Sequence, residues 1–167
     1  ADTSGSYTVY EFLTAPGTYT YEARDTVQGG DYQIGTGTLT VTEGSGEQTF
    51  ELYLVYVYAI EIGWTADDFT TEVKAADGTV MTPGEPHQSG SYVGYPYLMA
   101  PGTYTWSVQP SEARAAEGYQ ASQPTSQKLT GSATWSVTLP QIVSTGFVVP
   151  KGGRVVMHSI PSTTYGQ

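Results

Sequence analysis

The chain has 167 residues, with 6 Lys+Arg against 16 Asp+Glu for a net charge of -10, no Cys and no Asn, 25 Thr, 20 Gly, 14 Tyr and 7 Leu. Six cations cannot line a phosphate-binding groove, so a nucleic-acid partner is excluded. A Cys-based zinc site is impossible, no apolar run approaches the roughly 18 residues that span a bilayer, and the Thr, Val, Tyr and Gly bias favours strands and turns over helices.

Self-similarity is the strongest pattern, and it sets the predicted elements in chain order. Residues 4–21 read SGSYTVYEFLTAPGTYTY and residues 89–106 read SGSYVGYPYLMAPGTYTW, with twelve of the eighteen positions identical at an offset of 85. Phe12/Tyr97 and Tyr21/Trp106 exchange one aromatic for another. Tyr32-Gln33 answers Tyr119-Gln120, and Phe50, Leu52 and Leu54 answer Trp135, Val137 and Leu139. A β-like run follows each, at 55–64 and 142–149. A polar turn comes next, at 66–68 (Ala-Asp-Asp) and at 150–153 (Pro-Lys-Gly-Gly), then a further strand at 70–75 or 154–158.

This phase divides the chain into three. Residues 58–140 form a complete module, 1–57 the back part of an earlier one, and 141–167 the front part of a later one, with a repeat of about 84 residues. Within the complete module, alternation predicts strands at 59–62 and 70–75, the latter closed by an Asp77-Gly78 hairpin turn. A strand at 95–99 leads to Pro101-Gly102, read as a type II turn that wants positive φ at Gly102, and at Gly17 in the first copy. Strands at 103–108, 127–129 and 134–139 follow. Residues 111–117 can hold one helical turn; the first copy has the shorter, Gly-rich stretch 22–31 in that place. Short strands at this spacing predict an all-β fold of tandem Ig-like or prealbumin-like β-sandwich modules.

The phrase Tyr95-x-x-Leu98-x-Ala100-Pro101-Gly102-Thr103-Tyr104-Thr105-Trp106, followed by Gly118-Tyr119, resembles the L-x-P-G-x-Y core of PEGA-type and carboxypeptidase-regulatory-like modules. Glu72-Val73-x-x-x-Asp77-Gly78 is similar to their strand–turn signature. The resemblance covers one module and parts of two others. It implies a non-enzymatic structural or adhesive module of a bacterial surface or filament protein. Secretion to the cell surface also fits a Cys-free, Thr/Tyr/Gly-rich acidic chain.

Chemistry-bearing residues are few. His87 and His158 occupy non-equivalent repeat positions, so neither is read as a catalytic base, and no catalytic, cofactor or metal residue is assigned. Asp67-Asp68 lacks the spaced oxygens of a calcium loop and is read as a solvated turn. With no Asn, an isopeptide staple from Lys74, Lys128 or Lys151 would need an Asp. Trp64, Trp106 and Trp135 align with apolar or aromatic positions and are read as packing residues. The expected repeat core is Leu13, Pro16, Gly17, Tyr19 and Phe50, with Leu98, Pro101, Gly102, Tyr104 and Trp135; Leu13 and Leu98 are expected to be equivalent buried residues. Tyr53, Tyr56, Tyr58, Tyr92, Tyr95 and Tyr97 are the candidates for contact with a glycan or a host protein, which leaves a carbohydrate-binding accessory module as the alternative function. The main expectation is head-to-tail assembly with copies of itself or adjacent modules. Strands of 141–167 would complete a sandwich with a 1–57 segment, either between chains or along one longer tandem chain.

Overall fold

The computed structural model describes residues 2–4, 7–25, 32–44 and 46–158, so the expectations for residues 26–31 and 159–167 lie outside the described residues. Eleven strands and one short helix are present among them. The chain begins with two hairpins. β1 (Asp2–Ser4) pairs antiparallel with β2 (Tyr7–Val9), and β3 (Gly17–Asp25) with β4 (Tyr32–Val41). Seven strands then build a two-sheet sandwich. One sheet has the order β11-β5-β8-β7, with β5 (Tyr53–Ala59), β7 (His87–Ser89), β8 (Tyr92–Met99) and β11 (Ala133–Val137). The other is β10-β9-β6, with β6 (Phe69–Ala75), β9 (Gly102–Pro110) and β10 (Thr125–Leu129).

Period-two alternation decides which side chains meet between the sheets. Val55, Val57 and Ala59 of β5, with Val93, Tyr97 and Met99 of β8, face Val73 of β6 and Tyr104, Trp106 and Val108 of β9. Trp135 of β11 stacks on Trp106, ring centroids 5.9 Å apart. All three Trp are buried, as their alignment with apolar positions implies. Leu98 is not a core residue: Tyr97 and Met99 take the inward positions of β8, so Leu98 points to the opposite face and is half-buried, while Leu13 is fully exposed.

The sandwich begins at Tyr53 rather than Tyr58, since β5 straddles the expected boundary and 60–64 is not strand. Its neighbour β11 runs parallel to it, with Ala133 opposite Val55 and Val137 opposite Ala59. Parallel first and last strands mean that the chain comes in at one pole of the sandwich and leaves at the other. The helix α1 (Glu112–Ala116) falls where one turn was expected, capped by Ser111, whose hydroxyl accepts from the Arg114 amide.

The two Ala-Pro-Gly-Thr-Tyr phrases adopt one geometry, but not the expected type II turn. Gly102 has no positive φ, and Gly17, at +155°, lies far from the +80° such a turn requires. Each glycine instead opens a strand. The Tyr19 hydroxyl donates to the Ala15 carbonyl at 2.6 Å, and the Tyr104 hydroxyl to the Ala100 carbonyl at 2.6 Å. The phenol, reaching back four residues, closes the corner, as in the tyrosine corners of other sandwiches.

Strand pairing repeats as well. Asp2↔Val9, Thr3↔Thr8 and Ser4↔Tyr7 in the first hairpin become His87↔Gly94, Gln88↔Val93 and Ser89↔Tyr92 in the sandwich, every number higher by 85. β3 and β9 cover the same span at the same offset. The first part of the chain thus carries strands at the places of β7, β8 and β9, and β4 lies beside β3 as β10 lies beside β9. Among the described residues, nothing there holds the places of β5 and β6.

Residues 142–149 and 154–158, expected as strands, are not in strands. Gln141 bridges Tyr119, and the Ile142 amide donates to the Gly118 carbonyl at 2.8 Å; beyond that point the chain leaves the sandwich that it follows. A β-strand needs a hydrogen-bonding neighbour, and among the described residues no strand pairs with these.

Candidate functional site

Two surfaces are candidates: an aromatic junction where the β3–β4 hairpin meets the sandwich, and the uncovered apolar residues at the two ends of the chain.

At the junction, β8 presents Gly94 and Pro96 on its outward face, leaving room for rings. Tyr58 lies against Gly94, where an added Cβ would come within 2.5 Å of the ring. Tyr56 lies opposite Pro96, and its ring is 6.0 Å from that of Tyr58. Tyr32 reaches in from β4, stacking on His87 with centroids 4.4 Å apart and hydrogen bonding to the Tyr56 hydroxyl. Its phenol also donates to Asp25 Oδ2 at 3.2 Å. Burial, reinforced by Tyr56 and the Asp25 carboxylate, raises the Tyr32 pKa far above the ordinary phenol value. Burial also raises Tyr58, against a smaller opposing effect of a hydrogen bond with Ser89.

The backbone completes the joint. The Glu85 amide donates to the Gln33 carbonyl at 2.8 Å, the Gln33 amide donates to Glu85 Oε2 at 2.9 Å, and the Gly84 amide donates to the Pro96 carbonyl at 2.7 Å. Gly84 permits the approach: a Cβ there would sit 2.3 Å from the Gln33 carbonyl oxygen. Sequence reasoning missed Gln33, Gly84, Glu85 and His87 as joint residues. The available signal was the pair of small outward residues, Gly94 and Pro96, on an otherwise bulky strand.

This geometry separates the six ligand-contact candidates. Tyr97 is buried, its hydroxyl 2.7 Å from Thr71 Oγ1, and it cannot meet a ligand. Tyr95 packs edge-on against Phe69 and donates to the Ala66 carbonyl at 2.8 Å. Tyr53 packs against the core, Tyr56 and Tyr58 belong to the junction, and Tyr92 is half-buried on β8. No row of bare rings remains among them. Asp68 is tied into its turn: its carboxylate accepts from the Thr65 amide at 2.6 Å and from Arg114 Nε at 3.0 Å. The Thr65 amide, then Arg114, holds its pKa below the usual carboxylate value. The Arg114 guanidinium lies 5.2 Å from the Trp64 ring centre, clasping the helix to the sandwich. Lys74 pairs with Glu72 at 3.1 Å on the surface.

The second surface is a contrast between repeat positions. Tyr97 is 1% exposed and its counterpart Phe12 is 79%; Trp135 is 5% and Phe50 is 43%; Tyr104 is 6% and Tyr19 is 38%. Pro16 and Gly17 are exposed in the first copy; in the second, Pro101 is exposed and Gly102 half-buried. At the other end Val143, Phe147, Val148, Val156 and Met157 are exposed. Exposed apolar residues concentrated in this way make these surfaces candidates for contact with a partner.

Among the described residues no cluster of three or more His, Asp or Glu could hold a metal ion, and no helix is long and apolar enough to cross a membrane. No protein-family model, curated protein or solved structure matches this chain.

Proposed function

We propose that the chain is a non-enzymatic structural module of a bacterial surface or filament protein, a link that joins copies of itself head to tail by strand complementation. The observation that carries this reading is the exposure contrast: the residues left bare in the first part of the chain are the repeat counterparts of the sandwich core. Parallel first and last strands support it, because poles at opposite ends make links add in a line. The hairpin–sandwich junction supports it too. Tyr32 on His87, with the Gln33–Glu85 pairing, ties one link to the next, and such a joint stiffens a string of modules. A head-to-tail contact of this kind does not close on itself and extends into an open filament.

Analytical ultracentrifugation and electron microscopy of the purified chain test it. Polymers that lengthen with concentration are expected, and removal of residues 142–158 should leave monomers that keep the sandwich's near-ultraviolet circular dichroism. A full-length chain that stays monomeric up to its solubility limit would overturn the proposal.

A further inference from the structure

Among the described residues the first part of the chain has strands with an open side, and residues 142–149 and 154–158 lie in no strand. We propose that residues 142–149 of a second copy enter the place that β5 holds in the sandwich, lying between β2 with its continuation (residues 10–14) and residues 48–52. Residues 154–158 then join the open edge of β3, as β6 joins β9. This deepens the head-to-tail reading and rests on it.

The acceptor side follows from pairing. In the sandwich, β8 is flanked by β7 and β5, β5 by β8 and β11, and β9 by β10 and β6. In the first part of the chain β2 has only β1, and β3 only β4, as strand neighbours among the described residues. Residues 10–14 and 48–52, the counterparts of 95–99 and 133–137, are in no strand there. Every strand missing or cut short is one that β5 or β6 supports in the complete sandwich.

The donor side carries a matching bend. After β5 the chain turns at residues 61–64, where the Trp64 amide donates to the Glu61 carbonyl at 3.3 Å and Gly63 has φ +82°. After 142–149 it turns at 150–153, where the Gly153 amide donates to the Pro150 carbonyl at 2.8 Å and Gly152 has φ +86°. Superposing the turns sets Thr145 where Tyr56 stands and Gly146 where Val57 stands. Tyr56 lies opposite Pro96, the counterpart of Glu11, and Val57 lies beside Trp135, the counterpart of Phe50. The inserted strand therefore runs antiparallel to 10–14 with Thr145 opposite Glu11, and parallel to 48–52 with Gly146 beside Phe50. Backbone hydrogen bonds supply the affinity; alternation in this register turns Ile142, Ser144, Gly146 and Val148 to the covered face, with Ser144 opposite Phe12 and Gly146 beside Phe50.

The chain has no Cys, so an introduced pair reports without background. Full-length Glu11→Cys is mixed with full-length Ser144→Cys, Thr145→Cys, Gly146→Cys or, as a distant control, Val149→Cys. The mixtures are oxidised in air, and heterodimers are counted by mass spectrometry. Disulfides need Cα atoms about 4.4–6.8 Å apart. Thr145→Cys is expected to give the highest heterodimer yield, at least five-fold above the Val149→Cys control. Polymers without heterodimer above control from any of 144, 145 or 146 would overturn this insertion while leaving head-to-tail assembly standing. Absence of both polymers and heterodimers would overturn the two together.

Discussion

Trp135 and Phe50 occupy matching repeat positions, yet truncating each to Ala should do different things. Trp135 is 5% exposed and stacked on Trp106, and it pairs with Val57 in the parallel ladder between β11 and β5. Trp135→Ala removes a buried indole and leaves a cavity, a change that costs about 3–5 kcal/mol. A domain of this size loses about 4–8 °C of Tm per kcal/mol, so a fall of at least about 12 °C is expected. Phe50, at 43% exposed and outside any strand, has little buried contact to lose in a single chain. Phe50→Ala should leave the sandwich Tm within about 4 °C, in keeping with exposed sites that change stability by about 0.5 kcal/mol or less. In the assembled state Phe50 would be covered, so the same variant should weaken polymerisation. The assay is differential scanning calorimetry at a concentration where sedimentation reports monomers, alongside sedimentation over a concentration series. An equal loss of Tm for both variants in monomers would refute the reasoning, because both positions would then already be core. Polymerisation of Phe50→Ala indistinguishable from that of the parent chain would refute its assembly half.

Gly84→Ala should unseat the hairpin from the sandwich, since the new Cβ would lie 2.3 Å from the Gln33 carbonyl oxygen; faster exchange of the Glu85 amide, with the sandwich core still protected, is the readout. Tyr104→Phe deletes the hydroxyl that donates to the Ala100 carbonyl and should cost about 1 kcal/mol in chemical denaturation, with no change in assembly. The Asp68 carboxylate has its pKa lowered in the folded state, chiefly by the Thr65 amide. Its contribution to stability is therefore full above the unfolded pKa of about 3.9 and is lost as pH falls through the lower folded pKa. Denaturation midpoints from pH 7 downwards should fall more steeply in the parent chain than in Asp68→Asn, and matching slopes would exclude this linkage.

Composition and period-two patterning were enough to establish an all-β chain and a sandwich, and most strands fall within a few residues of where alternation places them. The burial of Trp64, Trp106 and Trp135 was also legible, because a core position keeps its apolar character when one copy is laid on another. Local patterning could not decide between the two faces of β8. Tyr97 and Leu98 are both large and apolar, and only the opposing sheet determines that Tyr97 turns inward with Val93 and Met99. The Pro-Gly phrases misled for a related reason: the dipeptide suggests a type II turn, but a phenol four residues on closes the corner, an interaction that turn propensities do not contain. The start of β5 was misplaced because residues 48–52 lead straight into Tyr53 with no Gly or Pro between them to mark where the strand begins. The junction of Tyr32, Tyr56 and His87 was wholly tertiary. It joins residues 24 to 55 positions apart, and what brings them together is backbone pairing between Gln33 and Glu85 over a bare Gly84. Sequence thus determined which residues are apolar and at what period they recur; the tertiary structure decided which copy of each is covered, because burial depends on a second sheet being present to cover it.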